Sequence, residues 1–254
     1  MTTIPPQVLI RMRKAATDAG FDLELPATGE WLCFGTSRSP VRVWLTSLAD
    51  ALFVAAVSQH NVAQALADHG VAHVNPLPVG AAGARCVTSV EALGALLYRV
   101  VPLARTLPDE LLHVFQANIA GLPRTTEVER MVVQRVGQDV FRVGLLEYWQ
   151  GRCAVTGLAV PQLLRASHIK PWADCPTDAE RLDVFNGLLL APQLDAAFDR
   201  GLVTFADDGR VIVSGKLDSA SRGLLGINGA MQVGGLKAEH WKYLVWHRKK
   251  VFAG

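Results

Sequence analysis

The sequence predicts an α+β fold in two regions: a small α/β or α+β domain over residues 1–122, then a second domain of short strands with flanking helices over 123–254. Three observations predict it. Val41-Arg42-Val43-Trp44-Leu45 alternates as a half-buried strand does, beside stretches of helical period. The text changes character around Ala120 to Arg124, where Gly121 and Pro123 break a helical run. After Gly151, short apolar runs alternate with turn signals.

In order along the chain, Gln7 to Ala19 reads as a helix closed by Gly20, the residue that tolerates a left-handed cap. Trp31 to Phe34 and Val41 to Leu45 are extended, with Gly35 to Pro40 as the turn of a hairpin. Helical patterns follow at Asn61 to Asp68 and Ser89 to Leu103, the latter opened by Thr88-x-x-Glu91 at capping-box spacing. Asn75 to Gly83, rich in Pro and Gly, is a loop. Thr126-x-x-Glu129 opens a long helix that reaches Trp149. Beyond it, Cys153 to Val155, Leu163 to Ile169 and Gly187 to Leu190 read as extended, and Pro192 to Asp199 as a short helix. Val203 to Phe205 and Val211 to Val213 flank Asp207-Asp208-Gly209-Arg210 as a hairpin. Ala238 to Val251 is a final helix rich in basic and aromatic residues.

Half the residues are apolar and 19% are charged, which excludes a disordered chain. The formal charge of +2 declares no strong basic field, and the slight basic excess lies in the second region. Cys33, Cys86, Cys153 and Cys175 contain no CxxC pair, so neither a disulfide framework nor a four-cysteine zinc knuckle is expected. Met-Thr-Thr-Ile-Pro-Pro lacks the basic and apolar parts of a signal peptide. The apolar stretch Val41 to Val57 is too short and too polar to span a bilayer, so a cytoplasmic location is expected.

The chemistry-bearing residues lie in the second region. His168 ends an extended piece, Asn186 stands at the mouth of an apolar strand, and Asp195 and Asp199 share one face of a helix at i, i+4. Two carboxylates so placed repel unless a cation lies between them, which suits an oxygen-ligand site for Mg²⁺. Arg152-Cys153-Ala154-Val155-Thr156-Gly157, Ala166-Ser167-His168-Ile169-Lys170-Pro171-Trp172, Asn186-Gly187-Leu188 and Asp195 to Leu202 together resemble an HNH endonuclease domain, in the variant common in bacterial restriction-type proteins. Arg181-Leu182 also fits, as do Arg135 to Gln138 with Phe141-Arg142 upstream and Tyr243 to Phe252 downstream. The likeness covers about residues 125–253; residues 1–122 resemble no family.

The resemblance implies a ββα-metal fold hydrolysing DNA phosphodiesters to 5′-phosphate and 3′-hydroxyl ends. His168 falls at the general base and Asn186 at the central Asn of the motif, which ties down the loop between the strands. Asp195 takes the position of the last His of the family name, a metal ligand, and Asp199 that of a further ligand in some members. Ser167 replaces the Asp or His that usually binds metal beside the base, so either Asp199 or water completes the shell. One divalent ion per site is implied, Mg²⁺ or Mn²⁺. No structural zinc is expected, because Cys153-x-x-Thr156 stands where the first CxxC of many members would be.

Arg165 and Lys170 flank the base and serve either as phosphate contacts or as solvated strand charges. His240, Lys242, His247, Arg248, Lys249 and Lys250 give the last helix a basic face, again either a DNA backbone contact or a solvated surface. Arg135, Gln138 and Arg142 share a polar helix face that docks on the motif or on DNA. His60, His69, His73 and His113 have no partners at ligand spacing. The expected activity is a restriction or defence nuclease, with the first region recognising the target, a modification or a partner. The alternatives are a nicking or structure-specific repair nuclease and a catalytically inactive DNA-binding module. Cutting both strands calls for a homodimer or for two sequential nicks.

Overall fold

The computed structural model describes residues 4–49, 51–74, 76–107, 109–123 and 126–254. Met1 to Thr3 of the chain start, Asp50 of the apolar stretch, Asn75 of the expected loop and Arg124 of the expected junction lie outside the described residues. The chain forms two compact units, residues 1–107 and 108–254.

The first unit contains α1 (Pro6–Asp18), β1 (Leu23–Thr28), β2 (Trp31–Thr36), β3 (Ser39–Ala49), β4 (Leu52–Val57), α2 (His60–Ala65), β5 (Val71–Ala72), β6 (Gly83–Val87) and α3 (Val90–Thr106). Its six strands form an antiparallel sheet in the order β1-β2-β3-β4-β6-β5. The expected hairpin is β2–β3. β1, β4 and β6 extend it beyond what the sequence pattern indicated. The cross-strand row Leu25, Cys33, Trp44, Ala56 and Ala84 builds a small apolar cluster on one face. α3 packs against β3, β4 and β6, with α1 beside it. Its buried residues Leu93, Leu96, Leu97, Val100, Val101 and Ala104 follow the helical period. The cap of α3 is Ser89, whose hydroxyl accepts from Ala92 N at 3.1 Å, in place of the expected Thr88.

The second unit contains α4 (Glu110–Ile119), α5 (Glu127–Tyr148), β7 (Arg165–His168), α6 (Asp178–Leu182), β8 (Gly187–Leu190), α7 (Pro192–Asp199), β9 (Val203–Phe205), β10 (Val211–Val213), α8 (Ser219–Leu225) and α9 (Ala238–Lys250). Cys153 to Val155 forms a turn rather than the expected extended piece. α4 packs on α5 and α6, so the division falls before this helix, whereas the sequence break near residue 122 follows it. The break in pattern ends a helix without ending a unit. α5 opens on the capping box of Thr126 and Glu129. β7 and β8 pair antiparallel and α7 packs on β7, a ββα arrangement. Among the described residues no helix is long and apolar enough to cross a membrane.

Candidate active site

His168 sits at the end of β7, paired in register with Gly187 of β8. That glycine is dictated by packing. A Cβ at 187 would lie 2.6 Å from Phe141 Cζ and 2.7 Å from Leu145, so α5 can press on β8 only where no side chain intervenes. The same helix carries Phe141 onto the His168 ring, with centroids 3.8 Å apart and planes 14° from parallel. Trp172 meets the imidazole edge-on at 5.7 Å.

His168 Nε2 lies 2.8 Å from the backbone oxygen of Arg181. A carbonyl only accepts, so Nε2 carries the proton and Nδ1 keeps the lone pair. Burial lowers the pKa of this imidazole to about 4, the Arg181 carbonyl opposing the shift. The residue is therefore neutral at neutral pH.

The segment that leads to this carbonyl, in the last turn of α6, is held by two side chains. Asn186 is fully buried: Oδ1 accepts from Lys170 N at 2.8 Å, and Nδ2 faces Lys170 O at 3.1 Å, Glu180 O at 3.1 Å and Cys175 Sγ at 3.3 Å. It lies behind the site as a brace and does not line the cleft. Arg181 donates from Nε to Trp172 O at 3.2 Å, from Nη2 to Cys175 O at 2.6 Å and from Nη1 to Asp178 at 2.8 Å.

Across from His168, α7 supplies two carboxylates. Buried Ser167 donates from Oγ to Asp195 Oδ1 at 2.7 Å and also interacts with Asp199. Asp199 has its pKa raised, first by the protein around its carboxyl and then by the neighbouring Asp195 charge, with Ser167 opposing. Ser167, His168, Trp172, Asp195, Asp199 and His247 line a cleft of about 370 Å³. Among the described residues, no three His, Cys, Asp or Glu side chains converge as a metal-binding group. Two repelling carboxylates with a hydroxyl between them nonetheless fit one hard divalent ion that keeps water and takes its other ligands from phosphate. They do not fit a zinc cage.

The cations named from sequence divide into two kinds. Lys170 Nζ pairs with Glu180 at 2.7 Å, and Arg248 donates to Phe205 O and to Asp207 at 2.7 and 2.6 Å. Arg165 and Lys249 are exposed. His240 and His247 belong to no basic face. Both are buried and have pKa values lowered to about 4, by burial first. His247 stacks on Phe198 at 3.8 Å, with Nδ1 on Thr204 and Nε2 on Phe198 O. Arg142 docks on the motif, donating to Leu164 O and Pro161 O at 2.7 and 3.0 Å.

At Cys153, where a zinc pair would begin, the thiol sulfur accepts from Thr156 N at 3.4 Å and Ala191 N at 3.3 Å. These contacts close the turn after Cys153 and tie it to Ala191 at the start of α7. The Cys153 sulfur, the Arg181 guanidinium and the stacking Phe141 carry no spacing signal that marks their jobs in the sequence. The Cys153 sulfur reaches Ala191, the Arg181 carbonyl takes the His168 proton and Phe141 stacks on His168, contacts that only the fold brings together. No curated protein matches the chain. Residues 153–206, from the Cys153 turn through β7, β8 and α7 to the residue after β9, match the family model of the HNH endonuclease, whose activity is that of a nuclease.

Proposed function

We propose that the second unit is a metal-dependent DNA endonuclease in which His168 is the general base and Asp195 and Asp199 are the metal ligands. The observation that carries this reading is the Nε2 hydrogen bond to the Arg181 carbonyl, made beside a cleft that two carboxylates share. A neutral imidazole whose Nε2 proton is committed has one nitrogen, Nδ1, with which to accept a proton from water. The water then attacks phosphorus, the bond to the 3′ oxygen breaks, and 5′-phosphate and 3′-hydroxyl ends result. One divalent ion, Mg²⁺ or Mn²⁺, would neutralise charge on the scissile phosphate and on the departing oxygen. Ser167 directs its one proton to Asp195, which makes it a positioner of that carboxylate; its neutral oxygen is a weak ligand beside two anions. Asn186 fixes the loop and takes no part in proton transfer.

Arg165 and Lys249 are exposed and placed to meet the DNA backbone, whereas Lys170 and Arg248 are engaged within the fold. The first unit would supply target recognition in a restriction or defence nuclease. Its separate compactness supports a modular role.

The test is cleavage of plasmid and phage DNA, modified and unmodified, with Mg²⁺, Mn²⁺ or EDTA, by the wild-type protein and His168→Ala. Cleavage should require the ion and fall by about 10²–10⁴ in the mutant. Undiminished cleavage by His168→Ala would sink the base assignment. No cleavage of any DNA under any condition would favour an inactive docking module.

A further inference from the structure

We propose that Arg181 is a positioning residue for the base, its guanidinium holding two of the groups that fix the His168 ring, its own carbonyl and Trp172. The inference rests on the reading of His168 as general base.

The geometry is unusual in running through one residue twice. The backbone oxygen of Arg181 takes the Nε2 proton of His168. The side chain of the same residue turns back along the loop to Trp172 O, Cys175 O and the Asp178 carboxylate, and its cationic carbon lies 5.6 Å from the Trp172 ring centroid. Trp172 is the edge-on neighbour of the imidazole. Its ring also fills the space over Gly137 of α5, where a Cβ would come within 2.3 Å of it. Acceptor and wall are thus anchored to one guanidinium, and Phe141 closes the other side.

The Arg181 side chain is about one-quarter exposed, at 24%. It spans two backbone acceptors, at the 3-10 turn Trp172–Asp174 and at Cys175 just after it, and the Asp178 carboxylate at the start of α6. A planar fork with separate donors suits that task, and a lysine ammonium does not reproduce it. Without the fork, Trp172 O keeps only the long Cys175 N bond of the 3-10 turn, at 3.3 Å, and the Asn186 clamps at Lys170, Cys175 and Glu180 do not reach Trp172. The carbonyl at residue 181 and the indole can then drift. A base displaced by about 1 Å costs up to about a hundredfold in rate.

The experiment compares wild type, Arg181→Ala and Arg181→Lys. The His168 tautomer is read by ¹⁵N NMR of the imidazole nitrogens, with His168→Ala identifying the signals. Binding of a short DNA duplex is measured in EDTA, and kcat is measured on plasmid with Mg²⁺. Wild type should show one tautomer, protonated at Nε2. Arg181→Ala should show a mixture, with kcat lowered about ten- to a hundredfold and duplex affinity within about twofold of wild type. Arg181→Lys should fall between the two. If the alanine variant does not fold, the lysine variant decides by the same readouts. A retained single tautomer, or an unchanged kcat, in the folded variants would overturn the proposal. So would weakened duplex binding at unchanged kcat, which would make Arg181 a DNA contact. If wild type cleaves no DNA, the endonuclease reading fails while the tautomer measurement still judges Arg181.

Discussion

The two units of this protein are held together by different means. In the first, six strands and the helix α3 bury regular apolar faces, and the backbone's own ladder satisfies most of its polar groups. In the second, the strands flanking His168 are four residues each, and the chain between them runs from 169 to 186 with only one short α-helix and two 3-10 turns. Side chains satisfy what a sheet would otherwise satisfy: Asn186, Arg181, Arg142, Arg248 and the Cys153 sulfur all bond to backbone groups. Among the described residues the buried polar ones follow the same division, with Asn186, Ser167, Ser214, Thr204, His240 and His247 in the second unit against Thr36, Thr46 and Thr106 in the first. A regular sheet is stable but offers few ways to aim a side chain. A short helix set in irregular chain can end on a carbonyl where an imidazole needs it, at the cost of a polar network that must be complete.

The sharpest way to break that comparison is to remove the most connected member of the network. Asn186→Ala deletes a fully buried amide and leaves the Lys170 amide and two carbonyls without that partner. Each such group costs about 1–3 kcal/mol, so a loss of about 3 kcal/mol or more is expected in urea unfolding. Hydrogen exchange should quicken across residues 165–190, while β2, β3 and β4 keep their protection. A mutant as stable as wild type would show that the clamp is ornamental.

The same division decides what could be read from the sequence. β8, α7, β9 and β10 appear where their apolar runs end at Gly, Pro or Asp, because short elements bounded by turn residues leave a local signature. Thr126 and Glu129 fix the start of α5 for the same reason. β4 was hidden because Leu52 to Val57 is a continuous apolar run that gives no period. In the site, His168, Asp195 and Asp199 stood out by type and spacing, and the structure brings all three to one cleft. The directions of Lys170 and Arg248 were not legible, since their partners Glu180 and Asp207 lie 10 and 41 residues away. Nor was the burial of His240 and His247, which depends on aromatic surfaces from elsewhere in the unit.

Those two histidines supply the next test. Their pKa values fall from an ordinary 6.5 to about 4 in the folded protein, because burial disfavours the imidazolium. Between these values the unfolded chain binds protons that the native state does not, so stability rises with pH. It is fully present above about pH 6.5 and is lost as the pH falls towards about 4. Urea unfolding at pH 7 and pH 5 should show the drop, and His247→Gln should flatten it. A slope unaffected by that substitution would remove His247 from the account.

The smallest effect compares one substitution in the two units. In α3, Gly94 has nothing within 4 Å of where a Cβ would stand. Gly94→Ala should therefore stabilise the helix by about 1 kcal/mol, since alanine loses less backbone freedom on folding. At Gly187 the added carbon collides with Phe141 and Leu145, which form part of the packing behind His168. Gly187→Ala should cost about 1–3 kcal/mol and lower cleavage as well, because relief of the clash moves either β8 or the ring stacked on the imidazole. Thermal unfolding and plasmid cleavage of the two variants decide the matter together. If both alanines act alike, the close approach of α5 to β8 does not position the site, and the contrast between the units reduces to a difference in regularity.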